Sequence, residues 1–152
     1  MPSLGELLPH RPPMVLLDGF KEPSGSGEVE AHVDVTAASP FYEAELGGVP
    51  ACVALEYMAQ TMALCVGLYR RDKGLDPKIG FVLGSRRLET RIPAFRDGER
   101  YRVRATCTYQ DEEFGSFDCD IRDSADAVVA SGWLTAFQPM GEFTPEKLES
   151  FT

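Results

Sequence analysis

Hydrophobic and polar residues alternate along several segments of this chain, and a period of two predicts half-buried β-strands. The clearest segment is 28–35, where Val29, Ala31, Val33 and Val35 share one face and polar residues occupy the other. Further strands are predicted over 14–20, 80–91, 100–108, 114–122 and 127–137. The last of these is apolar on both faces, which indicates a strand in the middle of a sheet.

One long segment has a helical period instead. Between residues 51 and 69, apolar side chains recur every three or four positions, and nearly all the other side chains are small or apolar. Such a helix is buried around most of its circumference. Pro50 suits the first helical position, Arg70 and Arg71 suit the last turn, and Gly74 suits the position that ends the helix.

The predicted order is therefore two strands, one long buried helix and four strands. Strands joined by short turns favour an antiparallel sheet, and such a sheet can curl around one helix of about five turns. We predict an α+β fold in a single domain spanning 1–152, with a peripheral tail from about residue 140. Short helical turns are expected at 3–8 and at 144–146. Because one small sheet cannot cover a helix that is apolar on nearly all sides, we expect a dimer.

Composition narrows the class of protein. The chain has 152 residues, 43% of them hydrophobic, as in an ordinary soluble domain. No uninterrupted apolar run reaches the length of a membrane span, and the N-terminus lacks the pattern of a secretory signal. The four cysteines, at 52, 65, 107 and 119, are irregularly spaced and lie far from the second histidine. We therefore expect no metal site, no cofactor and no structural disulfide, and a cytoplasmic location.

The net charge of −9 argues against a nucleic-acid-binding protein. The charge is unevenly distributed, because residues 70–104 hold eleven basic and five acidic side chains, a balance of +6, which leaves −15 elsewhere. This basic middle third either presents a cationic surface to an anionic partner or is a solvated strand face after a helix end that favours basic residues. The charge pattern alone favours the second interpretation.

The chain has two histidines, His10 and His32. His32 falls on the polar face of an alternating strand, where it is expected to be exposed. His10 lies in the sequence Leu-Pro-His-Arg-Pro-Pro at 8–13, and the prolines stiffen the backbone that presents its ring. A neutral imidazole held in this way can accept a proton from a substrate. The alternative is an ordinary loop histidine near the start of a strand.

Glu56 is unusual because it lies near the start of the apolar helix. Its helical neighbours, one turn before and after, are Cys52, Val53, Ala59 and Gln60, so they offer one polar partner and no cation. Burial without a cation raises the pKa of a carboxyl group, which lets it act as an acid near neutral pH. Gln60 is placed to hydrogen-bond and orient this carboxyl group. The alternative is that Glu56 faces solvent or pairs with an arginine.

The start of the helix supplies a third element. The backbone amides of Ala51 and Cys52 are expected to be free donors at the positive end of the helix dipole. A thioester carbonyl placed there would have its developing negative charge stabilised. The alternative is that these donors bind water or a cap.

Two motifs together resemble a known family. Residues 8–18, from Leu-Pro-His-Arg-Pro-Pro through Met-Val-Leu-Leu-Asp, resemble the opening motif of the β-hydroxyacyl-acyl-carrier-protein dehydratases of fatty acid synthesis. Residues 49–60, Val-Pro-Ala-Cys-Val-Ala-Leu-Glu-Tyr-Met-Ala-Gln, are similar to the central-helix motif of the same family. The later strands, over 81–137, follow the same order, so the resemblance spans most of the chain. Each motif alone is weak, and the pair in this order is specific.

The resemblance implies a hot-dog fold, in which a curved antiparallel sheet wraps one long central helix. It implies that His10 abstracts the α-proton of a 3-hydroxyacyl thioester and that Glu56 protonates the departing hydroxyl group. In this family the two residues meet across a dimer interface. The product would be the trans-2-enoyl thioester, formed in fatty acid or aryl-polyene chain elongation.

The same resemblance assigns Ala51, Cys52, Gln60 and Pro13 to substrate binding. The family usually has glycine where Ala51 stands, and a loop rich in Phe, Pro and Gly before it; here residues 41–48 are Phe-Tyr-Glu-Ala-Glu-Leu-Gly-Gly. The methyl group of Ala51 narrows the approach of a substrate. These variants most resemble the divergent dehydratases of aryl-polyene pigment clusters, which act on growing polyene chains bound to a carrier.

Two other functions stay open: a hot-dog thioesterase or CoA-linked enoyl hydratase, and a non-catalytic or partner-dependent subunit of a hetero-oligomeric dehydratase. The partners expected are an acyl carrier protein and a second hot-dog subunit, identical or related, with no nucleic acid and no membrane. An acyl carrier protein is strongly acidic, so Arg70, Arg71, Arg86 and Arg87 are the candidate residues that steer it.

Overall fold

The computed structural model describes residues 2–21, 23, 27–76, 80–111 and 113–138, with nothing taken from the side chain of Phe81. In chain order the elements are α1 (Leu4–Leu7), β1 (Gly19–Phe20), β2 (Glu28–Asp34), β3 (Gly48–Pro50), a 3₁₀ turn (Ala51–Val53), α2 (Ala54–Asp72), β4 (Phe81–Thr90), β5 (Ala94–Arg96), β6 (Arg100–Gln110), β7 (Phe114–Arg122) and β8 (Val128–Phe137). The predicted peripheral tail and the predicted turn at 144–146 lie outside the described residues.

Six strands form one antiparallel sheet in the order β1-β2-β6-β7-β8-β4. The sheet packs around α2, which contacts β2, β6, β7 and β4. The apolar face of β2 is the buried one, as predicted, because Val29, Ala31 and Val33 lie in the core. The strand predicted to be central, β8, lies between β7 and β4. The predicted α+β hot-dog architecture is therefore confirmed.

The long helix ends where the sequence predicts. Leu75 N–H donates to Arg70 C=O at 2.8 Å and Gly74 N–H donates to Arg71 C=O at 2.9 Å, the two bonds of a Schellman motif. Gly74 has a φ of +72°, which glycine adopts without a steric penalty. Within Ala51–Asp72 the most apolar 18-residue window has a mean hydropathy of 1.5, so this helix is long and apolar enough to cross a membrane by length and composition alone. The helix is instead the core helix around which the sheet packs.

Three local predictions were wrong. Most of the segment 14–20 is irregular, and only Gly19–Phe20 is a strand, because the backbone at Met14 and Leu16 bonds to a helix side chain instead of a neighbouring strand. A second, two-stranded sheet of β3 and β5 was not predicted, because three residues are too few to show an alternation. Pro50 ends β3 with an extended backbone and does not begin the helix.

The outer face of the sheet explains part of the charge asymmetry. The polar face of β2 lies beside the arginines of β6, with Glu30 opposite Arg104 and Asp34 opposite Arg100. Arg100 forms a bidentate pair with Asp34, at 2.6 and 2.9 Å, and Arg102 and Arg104 each pair with carboxylates of β2 and of neighbouring segments. Three of the eleven basic residues of the middle third thus lie on a strand face neutralised by acidic neighbours, in line with the interpretation that the charge pattern favours.

Candidate active site

A groove of about 1020 Å³ runs along one side of α2. Its middle is apolar and is lined from the helix by Ala59, Met62, Ala63 and Val66, and from the sheet by Phe117 and Ala136. His10 and Glu56 lie at the end nearest the start of the helix. Arg70 lies at the other end, fourteen residues on, which is about 21 Å along a helix. The groove therefore joins one imidazole–carboxylate pair to a long apolar channel.

His10 and Glu56 face each other in one chain. The distance from His10 Nε2 to Glu56 Oε1 is 3.7 Å. The two residues therefore meet within one chain, and their meeting across a dimer interface stays a prediction. The side chains are 29% and 40% exposed, so the predicted burial of Glu56 is only partial in the single chain. The alternative of a carboxylate that pairs with an arginine is also wrong, because the group that Glu56 pairs with is His10.

Gln60 holds Glu56, as predicted. Its Nε2 donates to Glu56 Oε1 at 2.9 Å and to the carbonyl of Met14 at 2.7 Å, while its Oε1 accepts the N–H of Leu16 at 2.9 Å. The backbone donor and acceptor fix which end of the amide is which, so Gln60 presents an N–H to Glu56. The side chain is completely buried. The sequence did not predict its second role, which is to tie the segment after His10 to the helix.

Hydrogen bonds within the segment that carries His10 hold its backbone. The guanidinium of Arg11 donates to the carbonyl of His10 at 2.8 Å and to that of Leu8 at 3.1 Å. Leu7 and Leu8 are buried in the core. Among the described residues, the buried Nδ1 of His10 has no hydrogen-bond partner, while Nε2 faces Glu56. His10 is thus presented by an ordered backbone, whereas the predicted exposed histidine, His32, is half-buried on the outer face of the sheet.

The amide of Ala51, at the helix start, is placed differently from the prediction. The N–H of Ala51 donates to the carbonyl of Pro93 at 3.1 Å, so it is not a free donor for a thioester carbonyl. The reason is the unpredicted β3–β5 pair, which brings Pro93 beside the helix start. Cys52 is exposed in the 3₁₀ turn, and Pro13 is exposed on the loop after His10. Ala51, Cys52 and Pro13 are all absent from the groove lining, unlike His10 and Glu56.

The four arginines proposed for carrier binding lie on two elements. Arg70 and Arg71 are in the last turn of α2, where Arg70 Nε donates to the carbonyl of Asp76 at 2.6 Å. Arg86 and Arg87 are exposed on β4, and the guanidinium of Arg86 lies 5.4 Å from the centre of the Trp133 ring. Of the four, Arg70 lines the groove.

Cysteine chemistry takes no part in the groove. All four cysteines are unpaired. Burial raises the pKa of Cys65 to about 11 and that of Cys119 to about 12, so both thiols stay protonated at neutral pH. The strand side of the groove, with Phe117 and Ala136, was not predicted as part of a site. The alternation in β7 places Phe117 on the inner face, but pattern alone does not tell a core position from a groove position.

Fold and site together define a dehydratase-type hot-dog protein, and comparison with known proteins gives the family. The model of the ApeP-like family, described as ApeP dehydratase, matches residues 2–148. This chain belongs to the ApeP-like dehydratase family.

Individual proteins agree with this assignment. The 3-hydroxyacyl-[acyl-carrier-protein] dehydratase FabZ of Anaeromyxobacter sp. strain K is 31% identical over 111 residues, which cover 71% of this chain and 70% of that protein. A chain in the dehydratase heterocomplex ApeI:P of Xenorhabdus doucetiae is 30% identical, with a TM-score of 0.86 over 99% of this chain and 97% of that one. A hypothetical thioesterase of Streptococcus pneumoniae, 16% identical with a TM-score of 0.58 over 85% of this chain and 91% of its own, shares the fold alone.

Proposed function

We propose that this protein dehydrates a 3-hydroxyacyl thioester carried on an acyl carrier protein, giving the trans-2-enoyl thioester. The observation that carries this proposal is the pairing of His10 and Glu56, 3.7 Å apart, at the end of an apolar groove. The groove follows α2 for about 21 Å and suits an extended acyl chain. Membership of a dehydratase family supports the reaction class. The growing chain of aryl-polyene synthesis, or of fatty acid synthesis, is the substrate class that the family resemblance supports.

In this proposal His10 is the base. A nitrogen of its neutral imidazole takes a proton from C2 of the substrate, and the electron pair left on C2 forms the C2–C3 double bond as the C3–O bond breaks. Glu56 supplies a proton to the departing hydroxyl group, which leaves as water. Gln60 donates its N–H to Oε1 of Glu56, so Oε2 is the oxygen free to carry the transferred proton. Gln60 also keeps the carboxyl group within reach of His10.

A second candidate is a subunit whose activity depends on a related hot-dog partner. Residues 82–90 of β4 are exposed, and beyond β8 no described strand pairs with it. Val82, Leu83 and Leu88 expose 40–43% of their surfaces there, and Val82 also lines the groove. A partner laid against β4 would cover this apolar edge and narrow the groove. The similarity to a chain of the ApeI:P heterocomplex supports a related partner over a second copy of this chain.

We further propose that the carrier protein approaches through Arg86, Arg87, Arg70 and Arg71, since none of the four forms an ion pair among the described residues, whereas the arginines of β6 do. Ala51, Cys52 and Pro13 are proposed only as outer contacts of the substrate, because none of them lines the groove. A cytoplasmic location follows from the carrier-bound substrate.

The test is loss of one water from a carrier-bound 3-hydroxyacyl chain, followed by mass spectrometry. His10→Ala is the test variant and His32→Ala the matched control, since these are the two histidines of the chain. We expect water loss that disappears in His10→Ala and persists in His32→Ala.

The assay is then repeated with an added hot-dog partner. Activity that appears only in the mixture selects the partner-dependent subunit. If His10→Ala remains as active as the wild type in the mixture, this chain contributes structure and not the base. Hydrolysis of the thioester without water loss would instead identify a thioesterase.

A further inference from the structure

Gly67 lies where the N-terminal segment crosses α2. A Cβ atom at this position would lie 2.4 Å from the carbonyl oxygen and 3.1 Å from the carbonyl carbon of Leu7. Both atoms belong to the backbone, so they cannot rotate away as a side chain could. Gly67 is the glycine inside α2, where alanine normally favours the helix. The contact with Leu7 therefore explains a residue that the helix itself disfavours.

The segment from Leu7 to Arg11 transmits this contact to the site. Leu7 and Leu8 are buried, so the segment has little room to slide along the helix. Arg11 donates to the carbonyls of Leu8 and His10, which ties the turn that carries His10 to the anchored residues. His10 follows Leu7 closely along the chain, with only Leu8 and Pro9 between them. Glu56 is held separately by Gln60, and it lies eleven residues from Gly67, about 16 Å along the helix.

From this arrangement we infer that Gly67 and Arg11 are positioning residues for His10. Gly67 lets the backbone of Leu7 approach the helix, and Arg11 holds the following turn, so the imidazole reaches Glu56. Gly67→Ala pushes Leu7 outward and moves His10 away from Glu56, while the bond from Gln60 to Glu56 stays in place. The inference rests on the proposed function for its effect on catalysis, but the position of His10 can be measured without activity.

The experiment follows the imidazole of His10 by nuclear magnetic resonance of protein labelled with carbon-13 at histidine. Two Cε1–H signals are expected, and His32→Ala identifies the one from His10. Glu56→Gln is introduced in the wild type and in Gly67→Ala, Arg11→Ala and Gly5→Ala backgrounds, and the displacement of the His10 signal is recorded. Gly5 is the matched control, because a Cβ atom added there would meet only Ser3 Oγ, at 4.0 Å.

We expect Glu56→Gln to displace the His10 signal in the wild type and in Gly5→Ala. The displacement should fall by more than half in Gly67→Ala and in Arg11→Ala. In the dehydration assay kcat should fall about 10²-fold in Gly67→Ala, with KM within about twofold, since the groove itself is intact. Loss of kcat without any change in the displacement of the His10 signal would contradict a positioning role.

A full displacement in both variants, with circular dichroism unchanged, would overturn the inference. If Gly67→Ala does not fold, Arg11→Ala decides, because the Arg11 side chain is exposed. If the wild type shows no water loss, the proposed dehydration fails, and the resonance measurement still judges the position of His10. The two failures are therefore distinguishable.

Discussion

The two sides of α2 differ in how completely the chain covers them. On the closed side, Tyr57, Met58, Thr61 and Leu64 are buried against the sheet. Tyr57 packs edge-on against Phe95, with ring centres 5.1 Å apart, and Phe95 packs in the same way against a tyrosine of β6. Core packing on this side is complete within one chain.

On the open side, Glu56, Ala59, Ala63 and Val66 line the groove, and Tyr69 at its far end is 51% exposed. The edge strand β4 beside it is exposed as well. A helix that is apolar on both sides but packed on one leaves its second side to a ligand or a partner. Burial on the closed side therefore stabilises the fold, whereas the open side is apolar because of what binds there.

The largest expected effect is on the closed side. Phe95→Ala removes a fully buried ring between Tyr57 and Tyr101 and should lower the free energy of unfolding by about 3–5 kcal/mol. Tyr69→Ala, on the open side, should change it by less than about 0.5 kcal/mol. Urea denaturation followed by circular dichroism measures both. Equal losses in the two variants would contradict the difference between the sides.

Gln60 hydrogen-bonds both the loop after His10 and the Glu56 side chain, so its replacement should lower stability and activity together. Gln60→Met leaves the buried Leu16 N–H and the partly buried Met14 carbonyl without their partner, at a cost of about 2–4 kcal/mol. It also frees Glu56, so dehydration should be lost. The buried neighbour Thr61 is the control, because Thr61→Val removes only a bond to a carbonyl of its own helix. If Gln60→Met loses no more free energy of unfolding than Thr61→Val, the hydrogen bonds of Gln60 do not hold the loop.

Two alanines of the same helix lie on opposite sides of it. Ala54 is 1% exposed on the closed side, and Ala54→Phe should overpack the core and cost about 1–3 kcal/mol. Ala63 lines the groove, and Ala63→Phe should block the acyl chain while the melting temperature stays near that of the wild type. Thermal unfolding and the dehydration assay are run on both variants. Unchanged activity in Ala63→Phe would show that the acyl chain does not bind in the groove.

A smaller effect is expected at the cationic surface. Reversing the charge of Arg86 and Arg87 to glutamate should weaken carrier binding about tenfold at low salt, with a smaller difference at high salt. Arg91→Glu is the control, since Arg91 is also exposed but lies outside the proposed carrier surface. Calorimetric titration with the carrier protein measures the binding. Equal weakening in the control would mean that net charge, and not this surface, attracts the carrier.

The smallest effect concerns acid stability on the outer face of the sheet. The hydrogen bond from Arg100 lowers the pKa of Asp34 below its ordinary value of 3.8. A carboxyl group with a depressed pKa in the folded state stabilises the fold above its unfolded pKa, and this contribution is lost as the pH falls. Between pH 5 and pH 3 the wild type should therefore lose more stability than Asp34→Asn. The difference should be below about 1 kcal/mol, because the pair is exposed. Identical pH profiles would show that the pair contributes nothing.

The sequence predicted the elements of this fold that are long enough to show a periodic pattern. It missed those that are set by contacts between distant residues. The strands 28–34 and 114–122 and the end of α2 follow from alternation and from capping residues, so they were found. The β3–β5 pair has three residues on each side and no local signal. It nevertheless decides that the Ala51 amide bonds to Pro93 and is not free.

The site was predicted only in part, because it also depends on contacts between distant residues. His10, Glu56 and Gln60 stood out because each is polar in an apolar or proline-rich setting, and the fold does bring them together. That His10 reaches Glu56 in the same chain depends on how the backbone of Leu7 crosses α2 at Gly67, a residue far from it in the sequence. No residue pattern within one element records such a crossing.

A double-mutant cycle on the rate of water loss shows whether His10 and Glu56 act as one unit. It uses His10→Ala, Glu56→Gln and the combined variant, and it is assayed with the partner subunit if one is needed. If the two residues act as one unit at the end of the groove, each single variant should lose nearly all activity and the combined variant should be no slower than the slower single one. Rate losses that multiply in the combined variant would show that the two residues act independently, and would contradict this account.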